Sequence, residues 1–258
     1  MNIARQGGLK SSLNVFLGQE IDRLQRLITV TRKTLQELIL AIDGTIIMSA
    51  ELQDALNNLY DGRVPTKWVK LSWEATTIGL WFTELLGRRD QLFFWLTKER
   101  PRSFWLTGFY NPQGFLTAVK QEVTRAHSGW ALDDVVEKTE VTKYENKDDV
   151  GKCEEGVYIH GLFLEGAAWD RKNARLVESQ PKVLFVPLPV LHVTAINAAQ
   201  PDNKTKYKCP VYRNKKRNDI TYIFSVDLNC TTAADTKTAN EAKAKWKLRG
   251  VALLCNYQ

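Results

Sequence analysis

The sequence contains no CxxC pair, no HExxH, no GxGxxG and no GxSxG, and its three histidines (His127, His160, His192) lie far apart. Each absence removes a class of function. Zinc sites need cysteine and histidine at ligand spacing, and Cys153, Cys209, Cys230 and Cys255 stand alone. The same scatter argues against a dense disulfide framework. Reduced thiols in a cytosolic setting are therefore expected, and the sequons at Asn203 and Asn229 read as chance matches. Dinucleotide and acyl-transfer chemistry lose their glycine-rich turn and nucleophile elbow. One GxxxxG exists, Gly156 to Gly161, but Leu162-Phe163 replace the Lys and Ser/Thr a phosphate loop requires. It reads as a strand. Glu165, Asp170 and Glu178 bracket an expected hairpin, where turn and surface roles account for them without acid–base chemistry. No metal, cofactor or catalytic group is expected here.

Long apolar runs are also missing. The longest uncharged stretch, Val183 to Pro201, is interrupted by Pro187 and Pro189 and carries His192, Thr194 and Asn197. No membrane span is expected. Charged and polar residues break up Met1–Glu20, which leaves no signal-peptide core.

What is present is material for a core. The 258 residues are 44% hydrophobic and 10% aromatic, with eight Trp. That excludes global disorder, and the length suggests one or two domains. From Ser12 to Ile42, apolar residues recur in steps of three and four (Leu13, Phe16, Leu17, Ile21, Leu24, Leu27, Ile28, Leu35, Leu38, Ile39, Ile42). This predicts one amphipathic helix of about 30 residues, roughly 45 Å long. Ser11 or Ser12 starts it, and Asp43-Gly44 ends it. A second helix runs from a Ser49 cap to Asp61-Gly62, and Pro65 prevents its continuation. A third covers Thr76 to Lys98. A fourth begins at Asn111-Pro112, a cap residue directly before proline at the first helical position, and ends near His127.

After Trp130 the period drops from 3.6 to two. Short β-rich runs follow at 135–144, 157–164, 183–185, 190–196, 207–212, 220–228 and 248–254, separated by Gly, Asn, Asp and Pro, with Asp170–Asn173 as a hairpin turn. The expected fold is α+β: an N-terminal helical layer with one long helix (1–130), then a small antiparallel β-barrel or sandwich (131–258). Within this plan Asn111, Pro112 and Phe115 at the helix start, and Tyr158 and Trp169 in a 158–169 hairpin, are the candidate packing elements joining helices to barrel.

Charge is uneven. There are 36 basic and 29 acidic side chains, a net of +7. Residues 133–155 hold nine acids and four Lys, whereas 204–217 hold seven basic residues and no acid. Lys215, Lys216 and Arg217 are candidate docking charges. Seven cations with Tyr207 and Tyr212 could adsorb nucleic acid weakly, but no recognised nucleic-acid signature accompanies them, and no nucleic-acid partner is expected.

Longer motifs resemble a known family. Phe16-Leu-Gly-Gln-Glu-Ile-Asp-Arg-Leu24, Met48-Ser-Ala-Glu-Leu52, Gly62-Arg-Val-Pro65 and Phe104 through Val119 are similar to the C-terminal region of dynein heavy chains, microtubule motors built on an AAA+ ring. So are Gly156 through Asp170, Glu178 through Phe185, Cys209-Pro-Val-Tyr-Arg213 and Leu248-Arg-Gly-Val251. Gln121 through Trp130 and Leu188 through His192 resemble the axonemal, outer-arm gamma type. The resemblance implies helices followed by a β-barrel, packed on the AAA+ ring of the same heavy chain, in the axoneme of a cilium or flagellum. The implied role is regulatory: tuning force, processivity or ATPase coupling. ATP and Mg would belong to upstream AAA+ modules, and microtubules and other dynein subunits would be partners of the parent. It also implies that Met1 to Lys10 is the start of a piece of a longer protein. Residues 231–245, rich in Thr, Ala and Lys, look like an expanded loop relative to the family pattern. The alternative is an adaptor that docks other axonemal proteins through its charged barrel loops.

Overall fold

A computed structural model describes residues 11–197, 205–231 and 236–256. The long helix α1 spans Ser12–Ile42, 31 residues, after Ser11. Helix α2 (Ala50–Tyr60) is capped by the Ser49 side chain, which accepts from the Leu52 N–H. Both helices end at glycines with positive φ, Gly44 at +76° and Gly62 at +71°, the conformation their carbonyl-closing turns require. A short helix α3 (Thr66–Leu71) follows Pro65. The sequence marks Pro65 only as a stop; in the fold it sits at the N-cap and starts a new helix. Helix α4 covers Ile78–Thr97, capped by Thr77.

The tryptophans explain this layer. Trp81 of α4 stacks on Trp68 of α3 (centroids 5.2 Å) and on Trp73 of the α3–α4 loop (5.6 Å). The Trp81 Nε1–H donates to Ser72 Oγ at 3.1 Å. Three rings therefore staple a six-residue helix too short to persist alone.

Strand β1 (Ser103–Trp105) comes next, then helix α5 (Pro112–Ala126), whose cap Asn111 accepts from the Gly114 N–H at 3.0 Å. The β-rich part supplies β2 (Val135–Val141), β3 (Val157–His160), β4 (Phe163–Glu165), β5 (Ala168–Asp170), β6 (Arg175–Val177), β7 (Phe185–Pro187), β8 (Leu191–Asn197), β9 (Lys206–Tyr212), β10 (Tyr222–Asn229) and β11 (Ala252–Leu254). Helix α6 (Thr236–Leu248) lies between the last two. It replaces most of the expected 231–245 loop, and buried Ala239 and Trp246 hold it down.

The strands form sheets ordered β1-β3-β8-β2 and β10-β9-β11-β4-β7, with β5-β6 as a separate hairpin. The α+β class is as expected, but the pairing is not wholly antiparallel. β1 runs parallel to β3, and β11 parallel to β9. Among the described residues no closed barrel forms. The two sheets meet where the Asp227 N–H of β10 donates to Thr139 Oγ1 of β2 at 2.8 Å. Strand β1, which precedes α5, thus belongs to the sheet system, and the change of period at residue 130 does not reveal it. Its outer edge is closed by Gln91 of α4, which accepts from the Trp105 N–H (2.7 Å) and donates to the Trp105 carbonyl (3.3 Å). An amide side group stands in for a neighbouring strand, which protects the edge from pairing.

One apolar cluster runs from Leu13 in α1 through Trp95, Phe104 and Phe115 to Leu164, Val226 and Leu253. Glycine sets the entry into β3. Gly156 has φ +79°, and an added Cβ would lie 2.2 Å from the Val193 carbonyl, so no other residue fits.

Candidate functional site

The expected packing residues occupy three different settings. Phe115 is fully buried, its ring 4.6 Å from Phe109, 4.9 Å from Phe104 and 5.5 Å from Phe16. Asn111 and buried Pro112 begin the helix that carries it. Tyr158 lies in β3 near Tyr144 and His192, and Trp169 is buried in β5. The segment 158–169 is not one hairpin. It passes through all three sheets as β3, β4 and β5, turning at Gly161 (φ +86°) and Gly166 (φ +81°).

Sequence reasoning misses the polar knot beneath this core. Glu20 of α1 is wholly buried and accepts from the N–H groups of Tyr110 (2.6 Å) and Asn111 (3.1 Å), where α5 begins. Burial raises its pKa, against the lowering effect of the two donors and Arg23. Arg88 of α4 is also buried, donating to the Thr107 carbonyl at 2.6 Å and pairing with Glu84 at 3.4 Å, with its guanidinium 3.8 Å from the Trp73 ring. Desolvation lowers its pKa, opposed by Glu84. Charged residues on the apolar face of a helix are the available signal: Glu20 falls between Leu17 and Leu24 in the period.

A groove of about 990 Å³ opens between α4, β1 and the β3–β4 corner, lined by Phe94, Arg102, Trp105, Asp148 and His160. His160 Nδ1 lies 2.8 Å from Ser103 Oγ. Burial, assisted by Lys147 and opposed by Asp148, lowers the His160 pKa to about 4. The folded state therefore holds this imidazole neutral, while the unfolded state protonates it near 6.5. Stability carried by neutral His160 is present above about pH 6.5 and lost as pH falls toward 4. Glu20, Glu84 and Glu137, whose pKa values are raised by burial, act oppositely: the folded state keeps their protons longer, so they favour folding as pH falls toward 4.5. Comparing urea unfolding of the wild type with that of His160→Gln between these pH values isolates the histidine. The expected loss on acidification, present only in the wild type, is about 2–3 kcal/mol.

The other acids and cations have partners that explain them. Glu165 pairs with Arg217, whose Nη1 also donates to the Gly250 carbonyl at 2.7 Å. Glu178 holds Lys245 (2.8 Å) and Arg249 (3.0 Å), and Asp170 accepts from the Lys172 and Asn173 N–H groups in its turn. Lys216 pairs with Glu74 of the helical layer at 3.2 Å. Two of the three expected docking charges are thus engaged within the fold. Lys215 is exposed, its ammonium 5.3 Å from the Phe185 ring.

Exposed apolar side chains gather on the helices. The α1 face that packs inward ends at Leu38. Beyond it Ile39, Ile42, Ile46 and Ile47 project into solvent, Ile47 at 92% exposure. The periodicity places Ile39 and Ile42 with the buried set; the helix outruns its support, so the same stripe is uncovered there. On α4, exposed Phe82, Leu86 and Phe93 make a second outward line, with successive gaps of about one and two turns. Its signal is a helix apolar on more than one side.

Residues 2–255 match the family model for the C-terminal domain of the dynein heavy chain. The sequence is 52% identical over 249 residues to dynein axonemal heavy chain 8 of Homo sapiens, and 47% over 255 residues to the dynein gamma chain, flagellar outer arm, of Chlamydomonas reinhardtii. It is 34% identical over 238 residues to a ciliary dynein beta chain of Heliocidaris crassispina. These alignments cover 96%, 97% and 92% of the 258 residues but about 5% of each relative.

Proposed function

The protein belongs to the family of C-terminal domains of dynein heavy chains. From that premise we propose that it serves as a non-catalytic regulatory domain of an axonemal heavy chain, packing its helical layer on the AAA+ ring of the same polypeptide. In this reading it works in the axoneme of a cilium or flagellum. ATP and Mg, and the microtubule and further subunits, are bound by other parts of the parent. The observation that carries the reading is the uncovered apolar corner at Ile39–Ile47 together with the outer line of α4. Such surface marks a docking site, and each isoleucine contributes about 1–2 kcal/mol when covered. A rigid rod of 31 residues transmits movement at its far end to the core that holds its near end. Coupling then equals the difference in contact free energy between ring conformations, a few kcal/mol at most.

The test is the pair Ile42→Asp and Ile47→Asp in the complete heavy chain. Both side chains are exposed, so the thermal midpoint of the 258-residue domain should stay unchanged. ATPase rate or stall force at fixed salt is expected to change severalfold. Unaltered motor output with the substitutions in place would remove the ring-packing reading.

A further inference from the structure

The β-rich side carries a second surface of different chemistry. Phe185 of β7, Glu165 of β4 and Ala252 of β11 lie in one row across the five-stranded sheet. Strands β7 and β11 both run antiparallel to β4, so the residues preceding each project from the same end of the sheet. That end gathers Lys182–Leu184 with Lys247–Gly250. The β9–β10 loop folds back to join them: Arg217 reaches Gly250 and Glu165, and Lys215 covers the Phe185 ring. Three segments far apart in sequence meet here.

These segments and the end of α6 carry Lys182, Lys215, Arg217, Lys245, Lys247 and Arg249, and the β9–β10 loop also carries Lys216, paired with Glu74, and Asp219. Glu165 pairs with Arg217, and Glu178 with Lys245 and Arg249. Lys182, Lys215 and Lys247 are exposed, and among the described residues none of them is in an ion pair. Between these lysines Leu184 is 70% and Leu248 89% exposed.

We propose that this end of the sheet, formed by Lys182–Leu184, Lys215 and Lys247–Leu248, docks an acidic segment of a separate polypeptide that carries apolar side chains among its carboxylates. Charge complementarity argues for acid, since like charges would be repelled. Two bare leucines beside the lysines argue for apolar anchors, which phosphodiesters lack. A nucleic-acid strand would also call for exposed aromatic platforms, whereas Trp246 at this end is buried. The proposal does not rest on ring packing, because its residues lie at the sheet end and on α6, and none of them belongs to the Ile39–Ile47 corner or to the outer line of α4.

Fluorescence anisotropy of the 258-residue protein tests it, using a fluorescein-labelled synthetic peptide of glutamates with leucines at helical spacing. Comparison probes replace leucine by alanine, or glutamate by lysine, and include labelled oligothymidylate and phosphatidylserine vesicles. Saturable binding of the glutamate–leucine peptide is expected. It should weaken about tenfold in the Lys215→Glu/Lys247→Glu double variant and by a similar factor in Leu184→Ser/Leu248→Ser. Ile47→Asp, on the helical corner, should leave it unchanged. Equal binding of the alanine peptide would reduce the surface to general charge attraction and overturn the proposal. Preference for oligothymidylate or vesicles, indifference to both double variants, or no saturable peptide binding would overturn it as well. Circular dichroism melts of each variant check that the fold persists.

Discussion

Replacing Phe115 by alanine is expected to destabilise the protein by about 3–5 kcal/mol, read as a lowered urea midpoint with an unchanged slope. Its ring contacts Phe16 of α1, Phe104 of β1, Phe109 before α5, and Trp95 of α4 at 6.4 Å. Four segments from both layers lose a shared partner at once. The site collapses poorly, because those neighbours are aromatic rings held by one another, with Phe16–Phe109 at 5.1 Å and Trp95–Phe104 at 4.9 Å. Phe93→Ala on the outer line of α4 provides the contrast. That side chain is 61% exposed, and its loss should cost under about 1 kcal/mol. Equal effects at the two positions would mean that Phe115 is not the joint described above.

Glu20→Ala is expected to cost about 3 kcal/mol, and Glu20→Gln about 1 kcal/mol. Alanine strands the Tyr110 and Asn111 N–H groups in a buried place, whereas glutamine retains one acceptor for them. The carboxylate also sits at the start of α5, where amides without a partner inside the helix favour negative charge. The same pair of substitutions reports on pH. Burial raises the Glu20 pKa above 4.5, so the folded state protonates before the unfolded state as pH falls. Its contribution therefore grows on acidification toward 4.5 and shrinks as pH rises through the raised pKa. The gap between the wild type and Glu20→Gln should narrow at high pH. A gap that widens with pH would mean that the donors and Arg23, not desolvation, dominate this site.

Local signals locate the helices well. Ser12–Ile42 is a helix over the full predicted span, Ser49 and Asn111 cap the helices they are expected to cap, and Pro112 occupies the first position of α5. These features depend on residues three or four apart, which the sequence displays directly. The family is legible for a related reason: long motifs such as Phe104–Val119 combine buried rings with a cap, and a fixed core constrains all of them together. Residues 198–204, with part of the basic stretch and one sequon, lie outside the described residues.

The features that fail to show are those set by what lies opposite. Strand β1 is three residues long and acquires its identity from β3 and from Gln91, neither of which is near in sequence. The run at 231–245 looks like a loop because its helix depends on buried Ala239 and Trp246 more than on an amphipathic face. Barrel closure does not follow from alternation, which states that a strand has two faces but not which edge it joins.

Composition, period and cap chemistry by themselves therefore determined the α+β class and the spans of α1, α2 and α5, while the longer motifs carried the resemblance to the family. The tertiary structure alone decided which apolar residues are covered and which charges are engaged. Leu27 and Ile42 both belong to the apolar period of α1, yet Leu27 is fully buried and Ile42 is bare, because packing ends at Leu38. Lys216 and Lys215 are neighbours of one charge, yet only Lys216 meets a carboxylate, on a loop 142 residues away. Periodicity fixes the direction in which a side chain points; the partner it meets there, and hence its free energy, is a property of the assembled fold.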